Sequence, residues 1–356
     1  MSEDQLEWAP AEGHGDEVRY AVDGTLGRVR LNRPQAINAL DQASVASLRA
    51  QLTAWAGDDE IDAVLIDGAG DRGLCAGGDV RALREDALAG RLSAAEEFWS
   101  TEYAVNGLIA DYPKPYVAWM DGIVMGGGVG VSAHGSLRVV TERTKLAMPE
   151  TIIGFFPDVG GLWFLADAPG ELGTHVALTG LPVSGADAVV LGMADVLVSS
   201  GSRDALVAAL RAEPELAAGA VLSAPGVSRV AEEEGDSWLA AQRGWIDECY
   251  AGPDAAIIVE RLLARPEVEA QEAGRAIAAR SPHSVAVTLE ALRRAASMDV
   301  HEVLEQDLVL GRAFAGHPDF VEGVRAQVVD KDREPRWATG SVADVSRAEV
   351  LAAFGE

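Results

Sequence analysis

Over the first two hundred residues, the order of apolar and polar positions predicts strands that alternate with helices. The segment 18–31 is predicted to form two short strands joined at the turn dipeptide Asp23-Gly24. A helix over 41–56 repeats apolar residues on one face and begins at Asp41, a typical N-cap. The apolar run 63–67 predicts a buried strand. This alternation is typical of an α/β domain.

Two further elements, a helix over 94–111 and a strand over 116–120, continue the alternation. Beyond about residue 200 the composition shifts to Ala, Glu, Arg and Leu, which predicts a mainly helical region. We therefore expect four consecutive parts: a flexible tail over 1–15, an α/β catalytic core over 16–200, a mainly helical insert over 201–280 and a helical C-terminal region over 281–356.

Net charge narrows the choice of partner. The 356-residue chain has 29 Lys and Arg against 56 Asp and Glu, a formal net charge of -27. The electrostatic repulsion that this negative charge produces opposes binding to nucleic acid or to an anionic membrane surface. The acidic N-terminus shows no signal-peptide pattern, and no apolar run is long enough to predict a membrane span.

Cysteine content bears on metal sites and on location. Cys75 and Cys249 form neither a Cys-x-x-Cys motif nor another metal-ligand spacing, so we expect no disulfide framework and no metal site. Two isolated cysteines fit a reducing compartment. From these features we expect a cytoplasmic protein.

Two glycine-rich segments are candidates for binding a ligand through the backbone. Leu-Cys-Ala-Gly-Gly-Asp-Val occupies 74–80, and Met-Gly-Gly-Gly-Val-Gly occupies 125–130. Each follows a predicted strand and precedes a predicted helix. Glycine lets backbone N–H groups approach a ligand closely, and paired N–H groups can stabilise an oxyanion. The alternative is tight turns and close helix–sheet packing, and both interpretations can hold together.

Two acids, Glu150 and Asp158, are the strongest catalytic candidates. Each follows a proline, and several apolar residues lie between and beside them. A carboxyl group in apolar surroundings tends to have a raised pKa, which suits proton transfer near neutral pH. The alternative is a pair of surface or capping acids. Glu102, by composition alone, reads as a solvent-facing helix residue.

Two short motifs in the same region resemble other active sites only weakly. The segment Gly128–Ala133 fits a dinucleotide-binding fingerprint, with Glu150 at the spacing of a ribose-binding acid, but it lies in mid-chain. Around Ser132 the sequence departs from the Gly-x-Ser-x-Gly nucleophile elbow because His134 replaces the last glycine. Ser132 is better interpreted as a small helix residue.

Taken together, these segments resemble the crotonase (enoyl-CoA hydratase/isomerase) superfamily, and within it a subfamily that hydrolyses 3-hydroxyacyl-CoA thioesters. The resemblance covers about residues 18–355 and is weakest over 200–280. Its motifs, in chain order, are Asn32-Arg33-Pro34, Ile37-Asn38-Ala39-Leu40, Ala76-Gly77-Gly78-Asp79, Gly126-Gly127-Gly128, the segment 147–161, Ala177-Leu178-Thr179-Gly180, Ser281-Pro282, Phe320-x-Glu322-Gly323-Val324-Arg325-Ala326 and Asp330-Lys331-Asp332.

The resemblance implies specific roles. The backbone N–H groups of Gly78 and Gly127 would form an oxyanion hole for the thioester carbonyl. Glu150 would occupy the superfamily's second acidic position, either attacking the carbonyl or activating a water. Asp158 stands where hydratases usually have glycine and marks the hydrolase subfamily; it would orient the water or protonate the departing thiolate. Gly130 stands where hydratases carry a second glutamate, which disfavours hydration of an enoyl thioester.

The resemblance also implies a fold and a substrate. The fold would be a spiral of β-β-α units with a helical C-terminal region that completes the acyl-CoA site. Glu102 would contact the substrate, which is expected to be 3-hydroxyisobutyryl-CoA from valine catabolism, with 3-hydroxypropionyl-CoA chemically near. Arg33 and Arg81 are candidates for the coenzyme A phosphates. Coenzyme A would enter as part of the substrate, with no separate cofactor, and a homotrimer or hexamer is expected.

Two alternatives remain open at this stage. One is an enoyl-CoA hydratase or isomerase that acts on another acyl-CoA. The other is a catalytically silent acyl-CoA-binding protein on the same scaffold, which would be expected to lack Glu150 or Asp158.

Overall fold

The computed structural model describes residues 6–230 and 236–356, which form two compact units. The sheet unit contains 6–78, 101–146, 183–230 and 236–237. The helical unit contains 79–100, 147–182 and 238–356. Each unit is therefore built from several separate segments of the chain. This division differs from the four consecutive parts expected from the sequence, and those four parts stay a prediction.

Two β-sheets form the framework of the sheet unit within its described residues. The larger has the strand order β1-β2-β3-β5-β7-β10, and the smaller has the order β4-β6-β8-β9. The strands are β1 Val18–Asp23, β2 Leu26–Leu31, β3 Ala63–Gly68, β4 Gly73–Cys75, β5 Tyr116–Met120, β6 Ile123–Met125, β7 Leu137–Thr141, β8 Lys145–Ala147, β9 Val183–Ser184 and β10 Val196–Val198.

The larger sheet joins one hairpin to a parallel array. Strands β1 and β2 are antiparallel, with Val18 opposite Leu31 and a left-handed Gly24 in the turn, as the sequence predicted. From β2 through β3, β5 and β7 to β10, neighbouring strands run parallel. Parallel strands need crossover connections, so the loops that follow these strands lie along the same edge of the sheet. Ligands commonly bind at that edge.

Helices account for most of the remaining elements. Those of the sheet unit are α1 Gln42–Ala56, α4 Gly127–Ala133, α7 Gly185–Val190, α8 Arg203–Ala212 and α9 Ala218–Val221. Those of the helical unit are α2 Val80–Leu88, α5 Gly161–Asp167, α6 Leu172–Thr179, α10 Trp238–Tyr250, α11 Ala255–Ala264, α12 Val268–Ala278, α13 Pro282–Ala295, α14 Val300–Ala315, α15 Pro318–Val324 and α16 Arg347–Ala353. The unit boundary at residue 100 falls inside α3 Leu92–Ala110.

Local signals in the sequence account for several of these boundaries. The Asp41 side chain accepts a hydrogen bond from Ser44 N at 2.9 Å, as an N-cap does. Leu48, Leu52 and Trp55 of α1 are buried, which confirms the apolar face. Behind the larger sheet, a core cluster joins strand residues such as Leu65 to helix residues of α8.

Part of the predicted N-terminal tail pairs with strand β1. Residues 1–5 of the predicted tail lie outside the described residues. Further on, Ala9 forms an antiparallel bridge with Tyr20, with N···O distances of 3.0 and 2.7 Å, and Ala11 is buried. Within 6–230 and 236–356, no helix has both the length and the apolar character needed to cross a lipid bilayer.

Candidate active site

In the sheet unit, the two glycine-rich loops lie directly against each other. One follows β4 and the other follows β6, and these two strands pair in parallel. A Cβ atom placed on Gly77 would lie 3.3 Å from Met125 O and 3.7 Å from Gly127 N. Gly77 also has φ +108°, a backbone conformation that favours glycine. The loops can approach this closely because neither presents a side chain at the contact.

Gly127 brings together three of the predicted site residues. It is the first residue of α4, where the backbone N–H has no partner within the helix. A Cβ atom on Gly127 would lie 3.3 Å from Gly78 N and 2.4 Å from Glu102 Oε1. Two backbone nitrogens of the expected oxyanion hole therefore border one small space, and a carboxylate faces the same space.

Glu102 is buried on α3, with only 2% of its surface exposed. The interpretation of Glu102 as a solvent-facing residue, drawn from composition alone, is therefore wrong. Asn106, one helical turn further along α3, is completely buried, and neither polar atom of its amide has a hydrogen-bond partner among the described residues. Asn106 was not predicted from the sequence. Its spacing of four residues from Glu102, which places both on one helix face, was the available signal.

The other residues of α4 serve packing. A Cβ atom on Gly128 would lie 2.6 Å from Cys75 O, so this glycine lets α4 pack closely on β4. Ser132 Oγ donates to Gly128 O at 2.6 Å, the back-bonding of a serine inside a helix. His134 is buried at the C-terminal end of α4. These contacts confirm Ser132 as a small helix residue.

In the helical unit, Glu150 begins a 3-10 turn, Glu150–Ile153, that follows Pro149. Glu150 is 7% exposed. Gly154 ends the turn at φ +73°, and a Cβ there would lie 2.1 Å from Asp319 O. A Cβ on Gly323 would likewise lie 2.3 Å from Ile153 C. Two glycines thus allow α15 to press against the turn, which fixes the backbone that carries Glu150.

An aromatic cluster supports the segment between the two acids. Phe155 stacks on Trp99 with ring centroids 5.2 Å apart and contacts Phe156, Phe314 and Phe320. All five rings are buried. The apolar residues that the sequence places between Glu150 and Asp158 thus include two phenylalanines buried in an aromatic cluster.

Asp158 lies in a strained turn. Asp158 is 6% exposed, and the two residues after it, Val159 and Gly160, have φ of +55° and +72°. A β-branched residue in the left-handed region is a genuine outlier that costs on the order of 1–3 kcal/mol and persists only where surrounding contacts enforce it. Such strain is often found at functional sites.

Asp307 on α14 is one of the contacts that enforce this turn. Its Oδ2 accepts a hydrogen bond from Gly160 N at 2.8 Å, and the side chain is completely buried. Burial, followed by the negative charge of Asp158, raises the pKa of Asp307 well above its usual range. Asp307 was not predicted from the sequence, because nothing in the neighbouring residues marks one acid of an amphipathic helix as the partner of a distant turn.

The two arginines expected to meet coenzyme A both hold neighbouring backbone. Arg33 donates to Ala39 O at 2.7 Å and pairs with Asp41 at 3.1 Å. Arg81 is exposed and donates to Val328 O at 2.9 Å within the helical unit. Their role toward coenzyme A stays a prediction.

The chain is similar in sequence to proteins of known family. The family model described as enoyl-CoA hydratase/isomerase matches residues 26–354. A zebrafish (Danio rerio) protein named 3-hydroxyisobutyryl-CoA hydrolase, mitochondrial, is 39% identical over 352 residues, 96% of this chain and 90% of its own length. Relatives from other vertebrates, including the human protein at 36% identity, carry the same name. The expected relationship to the hydrolase subfamily is confirmed.

These relatives correct the expected location. They are designated mitochondrial, so the cytoplasmic location expected from the sequence is wrong on this comparison. The physical reason is that free cysteines argue against an oxidising compartment and do not distinguish one reducing compartment from another.

Two solved structures confirm the fold. A carnitinyl-CoA dehydratase from Mycobacterium thermoresistibile is 47% identical, covers 96% of both chains and superimposes with a TM-score of 0.89. An enoyl-CoA hydratase from Rhodobacter sphaeroides 2.4.1 is 38% identical, covers 95% of this chain and 97% of its own, and has a TM-score of 0.88. With the match to the family model and the curated relatives, these findings show that the chain belongs to the enoyl-CoA hydratase/isomerase family.

Proposed function

We propose that this protein hydrolyses the thioester of a short 3-hydroxyacyl-CoA, with 3-hydroxyisobutyryl-CoA as the substrate. The observation that carries the proposal is the space beside Gly127, which Gly78 N and Glu102 Oε1 both border. The curated relatives named 3-hydroxyisobutyryl-CoA hydrolase support the choice of reaction and substrate. Placement in valine catabolism follows from that substrate.

The oxyanion hole is the first part of the proposed mechanism. The N–H groups of Gly78 and Gly127 donate to the thioester carbonyl oxygen and stabilise the negative charge that develops on it. Removal of one such donor costs about 3 kcal/mol of transition-state stabilisation in other enzymes. Glu102 accepts a hydrogen bond from the 3-hydroxyl of the acyl group, which selects hydroxylated substrates.

Glu150 supplies the attack on the same carbonyl. As a nucleophile, its carboxylate adds to the thioester and expels the coenzyme A thiolate, which leaves a mixed anhydride that water then hydrolyses. As a general base, it removes a proton from the water that attacks the thioester directly. Asp158 orients this water.

Hydration of an enoyl-CoA is the second candidate, because the two solved relatives are described as a dehydratase and a hydratase. Hydratases of this family use two glutamates to position water, and one of those positions is Gly130 here, a buried residue of α4 without a side chain. The residues present therefore favour hydrolysis.

One assay separates the two reactions. Purified protein is given (S)-3-hydroxyisobutyryl-CoA while free thiol is followed, and crotonyl-CoA while loss of the enoyl absorbance is followed. The proposal predicts thiol release and negligible hydration. Hydration without thiol release would overturn it, and binding with neither reaction would indicate a silent acyl-CoA-binding protein.

Three further expectations belong to the same proposal. Arg33 and Arg81 bind the coenzyme A phosphates, which neutral substitutions test through KM for the acyl-CoA. The reaction uses coenzyme A only as part of the substrate, so dialysis against a chelator leaves the rate unchanged. The protein forms a homotrimer or hexamer, which sedimentation equilibrium tests.

A further inference from the structure

The buried carboxyl group of Asp307 contacts the turn Asp158–Gly160. Asp307 is completely buried, and one carboxyl oxygen, Oδ2, accepts the Gly160 N–H at 2.8 Å. For the other oxygen, Oδ1, the structure records no hydrogen-bond partner among the described residues. Burying an ionised carboxylate oxygen that has no hydrogen-bond partner is strongly unfavourable. This carboxyl group therefore needs either a proton or a hydrogen-bond donor beside it.

The surroundings of Asp307 indicate where that proton belongs. The charged and titratable groups on segments that contact α14 include Asp158, Asp167, Glu96, His283, Glu290, Arg293, Arg294, His317, Arg347 and Glu349. Helix α14 itself carries His301, Glu302, Glu305 and Arg312. Among them, Asp158 is the one whose charge acts on Asp307. Two neighbouring carboxyl groups away from water do not both ionise readily. The completely buried member is the one that keeps the proton.

We propose that Asp307 is a positioning residue of the hydrolysis: it carries the one proton of the Asp158–Asp307 pair, keeps Asp158 ionised, and fixes the turn through the Gly160 N–H. The inference rests on the proposed function. A protonated Asp307 accepts from Gly160 through its carbonyl oxygen and donates its O–H toward Asp158. The carboxylate of Asp158 then acts as an acceptor that orients the attacking water, and it does not supply a proton to the departing thiolate.

Asp307→Asn is the informative variant. Its amide oxygen can accept the Gly160 N–H and its amide N–H can donate toward Asp158, which imitates the protonated acid. We expect kcat at neutral pH to stay close to that of the original protein. We expect the original protein to lose activity at alkaline pH, because Asp307 ionises there and the two carboxylates repel. Asp307→Asn has no proton to lose there, so this alkaline limb disappears.

Asp307→Leu is the matched variant that removes both hydrogen bonds. It releases the Gly160 N–H and removes the O–H that Asp307 directs toward Asp158, so we expect kcat to fall by at least about tenfold. A purely structural role for Asp307 predicts a different pair of results, in which Asp307→Asn keeps the alkaline limb at its original position. That result would overturn the inference, as would Asp307→Leu with unchanged kcat.

Infrared spectroscopy tests the same claim without activity and without Asp307→Leu, which is useful if the leucine variant fails to fold. The original protein should show the carbonyl stretch of a protonated carboxylic acid at neutral pH, and Asp307→Asn should lack that band. Its absence from the original protein, together with normal thiol release, would refute the inference and leave the proposed function intact. The band without any thiol release would refute the function and leave the proton assignment intact.

Discussion

A Cβ atom on Gly127 would lie 2.4 Å from Oε1 of Glu102. This distance is far below any normal contact, so a glycine is required at the start of α4 if Glu102 keeps its place. The same point is 3.3 Å from Gly78 N. One missing side chain therefore leaves room beside both a backbone donor and a carboxylate acceptor, the two kinds of group that a hydroxyacyl thioester requires.

Gly127→Ala should abolish most of the activity. The added methyl group fills the space beside Gly78 N and displaces the Glu102 carboxylate, so the carbonyl oxygen can no longer meet both donors. We expect kcat to fall by about 10²–10³, the usual effect of removing an oxyanion donor. Thiol release from 3-hydroxyisobutyryl-CoA measures this change.

Gly128→Ala is the neighbouring control. Its methyl group would lie 2.6 Å from Cys75 O, a backbone atom that cannot rotate away. We therefore expect the midpoint temperature of unfolding to fall more for Gly128→Ala than for Gly127→Ala. The reverse order of the two midpoints would contradict the separate roles assigned to these glycines.

Glu102→Gln should weaken discrimination between substrates. If Glu102 accepts the 3-hydroxyl, the ratio of kcat/KM for 3-hydroxyisobutyryl-CoA to that for isobutyryl-CoA should fall by about tenfold, because a hydrogen bond to a charged acceptor contributes roughly 1.5–3 kcal/mol. Glu97→Gln on the same helix is the matched control, since Glu97 is exposed. An unchanged ratio in Glu102→Gln would show that Glu102 does not contact the hydroxyl.

Asn106→Leu should stabilise the protein. A completely buried amide without partners loses its bonds to water on folding, at a cost of about 1–3 kcal/mol. An apolar side chain of similar size avoids this cost, so the free energy of unfolding should rise by about 1 kcal/mol or more. Denaturant unfolding measures the change.

The other buried asparagine provides the control. Asn38 donates to Ala69 O, Gly73 O and Leu74 O, and it accepts from Arg33 N at 3.0 Å. Asn38→Leu leaves these groups unpaired and should destabilise the protein. A loss of stability in Asn106→Leu comparable to that in Asn38→Leu would refute the interpretation of Asn106.

A stacked histidine pair should make stability depend on pH. His283 and His317 lie parallel with ring centroids 4.1 Å apart. Burial, then the positive charge of His317, lowers the pKa of His283 to about 4, although the nearby Asp319 and Glu349 oppose the shift. His283 therefore binds a proton more readily in the unfolded chain than in the folded protein. The contribution of neutral His283 to the free energy of unfolding is complete above pH 6.5, the ordinary pKa of histidine. It is lost as the pH falls toward 4.

His283→Phe isolates that contribution. Between pH 7.5 and pH 5, the free energy of unfolding should fall by about 2 kcal/mol less in His283→Phe than in the original protein, since the folded protein no longer excludes this proton. Urea unfolding at the two pH values gives the difference. Parallel losses in both proteins would contradict the assigned pKa.

The sequence predicted those parts of the site that carry local signals. Each of three features depends on residues that are adjacent in the sequence, and the structure contains all three: the two glycine loops, the N-cap at Asp41 and the hairpin at Gly24. The burial of Glu102 was not predicted, because composition shows which residues are polar and not which helix face is covered; the family resemblance suggested only that Glu102 contacts the substrate. Asp307 was missed because its importance depends on which distant turn α14 packs against.

The central claim is hydrolysis by Glu150, and the most direct test is thiol release by Glu150→Gln. Glutamine keeps the size of the side chain while removing the carboxylate that attacks or activates water. We expect release of coenzyme A from (S)-3-hydroxyisobutyryl-CoA to fall by at least about 100-fold, with the fold intact by circular dichroism. Near-normal turnover by Glu150→Gln would contradict the account.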